Sequence, residues 1–156
     1  GRMRFFEGLK DTLVIDDTYN AAPASVEEGL RSMEFMKLPG ARKIAVLGSM
    51  MELGEKEIDE HARIGQIAAE HVDILITVGD KMIHAHKEFQ FHKSYKAAVH
   101  VEEPEDAVDW IRMNVTPNDI FYIKGSASTH MERVVAELIA FKKYRTQNLV
   151  RQNDQK

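Results

Sequence analysis

The feature that most constrains this chain is an alternation. Short apolar, β-rich runs are each followed by a longer stretch with helical spacing, about five times along 156 residues. A chain patterned in this way stacks βαβ units, with helices laid on a mostly parallel sheet. Thr12–Asp16, Lys43–Gly48 and Ile74–Gly79 read as buried strands, each closing in turn chemistry. Ala98–Val101 and Ile120–Ile123 add two shorter strands, and Met3–Phe6 an edge strand. The expected fold is therefore a three-layer, Rossmann-like α/β arrangement: an open, mostly parallel sheet of about six strands flanked by helices.

Between the strands, Ser25–Phe35 carries Val26, Leu30, Met33 and Phe35 near helical spacing, with Pro23 ahead of it and Pro39-Gly40 behind. Residues 57–71 repeat the pattern with Ile58, Ile64, Ile67 and Ala68. Glu105–Met113 is entered through Pro104, and Met131–Tyr144 forms the last helix. Arg145–Lys156 is polar and is expected to be a flexible tail, leaving 1–144 as one domain. A hydrophobic content of 44% suits a single core of that size.

Composition narrows the chemistry. With no cysteine there is no disulfide framework and no thiolate chemistry, which suits a cytoplasmic setting. A net charge of −4 without a basic stripe argues against a nucleic-acid partner. No apolar run approaches the roughly 20 residues needed to span a bilayer, so no membrane insertion is expected.

In such sheets ligands gather where strands end and helices begin. Asp16-Asp17-Thr18-Tyr19-Asn20 leaves the first buried strand with two carboxylates, one of which could accept a ribose hydroxyl; the competing reading is solvated turn residues or caps. Leu47–Glu55 looks like a phosphate loop but is not one, because Gly54 is followed by Glu55-Lys56 rather than Gly-Lys-Ser/Thr. Met50, Met51 and Leu53 read as core, and Val78–Lys81 as a plain turn. Lys124–Glu132 offers hydroxyl donors to an anion, or equally a helix start capped by Ser128 or Thr129 with Glu132 completing the box. None of the seven histidines sits in a metal-binding spacing; His61 reads as a packing or hydrogen-bonding residue. No metal ligand and no catalytic residue is assigned.

Gly1-Arg2, Asp16–Ser25, Ala45–Glu55 with His61, and Lys124-Gly125-Ser126, in that order over about residues 1–140, resemble the C-terminal domain of the Mur ligases. The branch most similar adds D-alanyl-D-alanine to a UDP-N-acetylmuramoyl tripeptide. The resemblance implies an ATP-dependent ligation in peptidoglycan precursor synthesis, in which this domain closes over ATP and presents the incoming amino acid or dipeptide to an acyl phosphate. It implies ATP contacts at Arg2, Asp17, Tyr19 and Asn20, and amine-substrate contacts at Lys124, Gly125 and Ser126. The phosphate loop and most Mg2+ ligands would lie in a central domain and the UDP-sugar site in an N-terminal one, so this chain alone is expected to be inactive. Glu52 and His61 match motif positions without an assigned role. Three departures bear on the amine: Ser49 stands where the family usually has Asp, Ala127 where it has Arg, and Ala22 where Asn is frequent. A Mur-like ligase with another amine substrate, or a non-catalytic interaction domain, would share the fold.

Overall fold

The computed structural model describes residues 3–139. Six strands form one sheet: β1 (Arg4–Glu7), β2 (Leu13–Asp17), β3 (Lys43–Gly48), β4 (Ile74–Val78), β5 (Ala98–Val101) and β6 (Ile120–Lys124). The helices are α1 (Pro23–Ser32), α2 (Glu57–His71), α3 (Ile83–His92) and α4 (Pro104–Asn114), with α5 running over residues 132–139. The strand order is β1-β2-β6-β3-β4-β5, with β1 antiparallel at one edge and every other pairing parallel.

Pleat alternation builds the two outer layers. Ile15, Ala45, Leu47, Leu75 and Tyr122 face α1, α2 and α3, where they meet Val26, Leu30, Ile64, Ala68 and Phe89. Val14, Ile44, Val46, Ile76, Phe121 and Ile123 face the other way, against Ala107, Val108 and Ile111 of α4 and Val134, Val135 and Leu138 of α5. The chain adds β3, β4 and β5 in one direction, then reverses through α4 to insert β6 between β2 and β3. Parallel crossovers are right-handed, so the reversal puts α4 on the opposite face from α1–α3. It also creates a switch point at the carboxyl ends of β2, β6 and β3, the place where open α/β sheets bind ligands.

Four features of the fold depart from the pattern in the sequence. The helix expected over Ser25–Phe35 ends at Ser32 and tightens into a 3-10 turn at Met33–Phe35, which leaves Phe35 82% exposed rather than on the apolar stripe. Ile58 likewise points outward from α2, and of the methionine pair only Met50 is buried while Met51 is exposed. Helix α3 had no counterpart in the apolar pattern; it buries only Ala85 and Phe89 along its length. Finally, the hydroxyls of the Lys124–Glu132 segment bond within their own loop: Thr129 Oγ1 donates to the Ser126 carbonyl at 2.6 Å, and Ser128 Oγ lies 3.3 Å from Ser126 Oγ. A 3-10 turn at Ala127–Thr129 and a left-handed His130 (φ 56°) then lead into α5. The last helix is described only as far as residue 139, and the expected tail at Arg145–Lys156 lies outside the described residues.

Candidate functional site

Strand β2 ends in two adjacent aspartates, and the pleat sends them to opposite faces. Asp16, on the α4–α5 side, is fully engaged in structure. Its Oδ1 accepts from the Thr18 amide (3.1 Å) and hydroxyl (2.7 Å), closing a turn, and its Oδ2 accepts from Arg4 at 2.7 Å. Asp16 is thus a turn residue, but a buried and ion-paired one rather than the solvated one expected.

Asp17 points to the α1 side and pairs in register with Lys124 of β6. Tyr122, two residues before Lys124, lies on the same face. Its phenol donates to Asp17 Oδ2 at 2.6 Å, and the Lys124 ammonium donates to the same oxygen at 3.0 Å and to the Asp17 carbonyl at 3.4 Å. Lys124 is 3% exposed and Tyr122 not at all. Burial, reinforced by the hydrogen bond and the negative charge at Asp17, pushes the phenol far above its ordinary range, so it remains a donor at every working pH. The expected division between ATP residues and amine residues is thus crossed by a direct bond from Lys124 to Asp17. Arg2 lies outside the described residues.

Tyr19 is 74% exposed and, with Asn20, forms a ridge between two grooves. One, of about 600 Å³, is bordered by Asp17, Tyr19, Asn20, Gly29, Glu28 and Lys124. The other, of about 820 Å³, lies on the α5 side beside Arg4, Asp16, Ala127, His130 and Glu132. Asn20 Oδ1 accepts from the Ala21 amide at 2.7 Å. The loop then enters α1 through Pro23, where the Ser25 hydroxyl accepts from the Ala22 amide (3.2 Å) and donates to the Ala22 carbonyl (2.9 Å).

The loops after β3 and β6 are joined. The Ser126 amide donates to the Ser49 carbonyl at 3.2 Å, and Gly125 lies so close that a Cβ there would sit 2.6 Å from Thr129 Oγ1 and 3.2 Å from the Gly48 Cα. Ser126 is itself buried. Ser49, Gly79, Pro104, Ser128 and Arg133 are among the residues that line a smaller, open cleft of about 170 Å³ beside it.

His61 braces the β3 loop from below. It is fully buried, its Nδ1 is 2.7 Å from the Glu57 carbonyl, and its Nε2 is 3.1 Å from the Met50 amide nitrogen. An N–H facing Nε2 requires that nitrogen to accept, which places the proton on Nδ1 and makes the ring neutral. Burial is the main cause that lowers its pKa below the ordinary value of 6.5. The stability carried by neutral His61 is complete above 6.5 and is lost as pH falls toward its lower folded value. His86 and His100 are lowered as well, so wild type must be compared with His61→Gln: the stability gap between them, from urea unfolding, should be constant above pH 7 and shrink below 6.5. A gap that does not vary with pH would remove the neutral-acceptor role.

Sequence reasoning missed three members of this arrangement: Tyr122, Arg4 and Gly29. Tyr122 carried a usable signal, since a tyrosine flanked in its strand by Ile120, Phe121 and Ile123 must find a partner for its hydroxyl.

Residues 1–127 match the family described as Mur ligase, glutamate ligase domain. The chain belongs to that family. The UDP-N-acetylmuramoyl-tripeptide–D-alanyl-D-alanine ligase of Mycobacterium leprae is 35% identical over 153 residues, spanning 88% of this chain and 30% of the relative. The crystal structure of MurF from Acinetobacter baumannii superposes with a TM-score of 0.74 at 28% identity, over 90% of this Mur ligase domain and 30% of that chain. A MurF ligase from Thermotoga maritima, solved in complex with ADP, shares the fold with a TM-score of 0.73 at 24% identity, over 93% of the domain and 32% of that chain. This domain therefore spans about 30% of the length of the relatives it matches.

Proposed function

We propose that this Mur ligase domain serves an ATP-dependent amide ligase of peptidoglycan precursor synthesis, covering the nucleotide and presenting the incoming amine. In that reaction a substrate carboxylate attacks the γ-phosphorus and ADP leaves. The amine nitrogen then attacks the acyl phosphate, loses a proton, and inorganic phosphate departs as the amide forms. Residues elsewhere in a longer ligase would carry the phosphoryl transfer, whose main requirement is charge neutralisation.

One observation carries the reading. Asp17 lies at the switch point beside a groove, with one oxygen engaged and Oδ1 without a hydrogen-bond partner among the described residues. A carboxylate so placed can accept ribose hydroxyls, while exposed Tyr19 and the Asn20 amide flank the base. The aspartates do not fit a Mg2+ site, because Asp16 and Asp17 each already accept from a cationic side chain. Mg2+ belongs in this proposal to the remainder of the ligase, as does the UDP-N-acetylmuramoyl peptide.

The relatives' names support D-alanyl-D-alanine as the amine. Ser49 and Ala127, both at the β3–β6 loop junction, favour a second reading in which a different amine is used. The cytoplasm is the proposed location, since ATP and a UDP-linked precursor are the substrates; no described helix is long and apolar enough to cross a membrane.

Titrating the isotope-labelled chain with ATP tests the nucleotide assignment. The backbone amides of Asp17, Tyr19 and Asn20 are expected to shift first. Shifts confined to the α4–α5 face would overturn it.

A further inference from the structure

Two features near Asp17 are unfavourable when considered singly. Tyr122 buries its hydroxyl completely, which is costly without a partner, and phenylalanine would fill the same space. Gly29 sits inside α1, where glycine weakens a helix. One contact accounts for both. The phenol reaches Asp17 by passing α1 at Gly29, and a Cβ there would overlap the phenol oxygen. The hydrogen bond it makes, 2.6 Å to Asp17 Oδ2, is the partner its burial requires.

Lys124 approaches the same oxygen at 3.0 Å and also holds the Asp17 carbonyl. Both donors therefore converge on Oδ2, Oδ1 has no hydrogen-bond partner among the described residues, and Asp17 borders the groove together with Gly29 and Asn20. Two donors on one oxygen fix the carboxylate's rotation as well as its position.

We infer that Tyr122 is a positioning residue for nucleotide recognition: threaded past Gly29, it turns Asp17 with Lys124 so that one carboxylate oxygen is held by the protein and the other meets a vicinal diol. The inference rests on the proposed ribose contact of Asp17 and extends it to a residue that touches no ligand.

The test uses the full-length ligase with ATP and 2′,3′-dideoxy-ATP. Wild type should prefer ATP by its KM. In Tyr122→Phe, which removes one buried oxygen atom, the KM for ATP should rise about tenfold, the effect of one hydrogen bond to a charged group, and the KM for the dideoxy analogue should not follow. Gly29→Ala displaces the phenol without removing it and should give the same selective loss; if that variant does not fold, Tyr122→Phe still decides. A Tyr122→Phe enzyme with undiminished preference for ATP overturns the positioning role and leaves the ribose contact standing. A wild-type enzyme that does not distinguish the two nucleotides overturns the ribose contact, and this inference with it.

Discussion

Arg42→Met should destabilise the domain by about 3 kcal/mol at neutral pH without touching the candidate site, because it strands a buried carboxylate. Asp119 has no exposed side-chain surface, and Arg42 grips it with two parallel bonds, Nε to Oδ1 at 3.0 Å and an Nη to Oδ2 at 2.8 Å. The same carboxylate accepts from the Thr116 amide (2.9 Å) and hydroxyl (2.8 Å), and Arg42 reaches on to the Asn114 carbonyl. The clamp ties the starts of β3 and β6 together at the sheet end opposite Asp17. Arg42 is 34% exposed, which puts the expected cost at the lower end of what breaking a buried pair produces.

The pH dependence of that loss has a definite sign. Burial alone would raise the Asp119 acid, but the bonds from Arg42 and Thr116 outweigh it and hold the acid below its ordinary value of 3.8. A depressed acid gives stability that is full above 3.8 and lost as pH falls through the folded value. Without Arg42 only the Thr116 bonds oppose burial, and the carboxylate takes up its proton more readily. The stability gap between wild type and Arg42→Met, read from urea midpoints, should therefore narrow as the solution is acidified below pH 4. A gap that stays constant or widens there would show that the pair is not what Arg42 contributes.

Arg42 and Asp119 also show where sequence reading stops. The strands were legible because each is a run of β-branched or large apolar residues bounded by turns, and their parallel arrangement followed from the helices between them. Helix α3 was not legible. Its polar His84, His86 and Lys87 leave only Ala85 and Phe89 facing inward, and its Phe91 is exposed, so no apolar stripe marks it. The strand-end loops at Asp16–Asn20 and Lys124–Ser126 could be singled out one by one, since their residue types are unusual at the ends of apolar strands. What each aspartate does could not be read, because it depends on register. Asp17 meets Lys124 only because β6, laid down 107 residues later, inserts beside β2 with those two residues opposite each other. Had the register differed by one residue, Asp17 and Lys124 would have faced opposite sides of the sheet.

That register changes what Asp17→Ala is expected to do. A carboxylate serving ribose alone could be removed at little cost to folding, but here removal leaves the Lys124 ammonium, 4% exposed at its side chain, and the Tyr122 phenol without their acceptor. Asp17→Ala should lose about 3 kcal/mol of stability from the stranded charge, besides raising the KM for ATP roughly tenfold to a hundredfold in the full-length ligase. The two effects separate in the double variant Asp17→Ala/Lys124→Met. Methionine fills much of the lysine's volume and removes the buried charge, so most of the lost stability should return. The KM for ATP should remain raised, since the acceptor for the ribose is still missing. If the double variant recovers ATP use along with its stability, Asp17 acts on the nucleotide only by keeping the strand ends folded, and the ribose contact is wrong. If stability does not return, the Lys124 charge is not what Asp17 compensates, and the paired reading of β2 and β6 at this site fails instead.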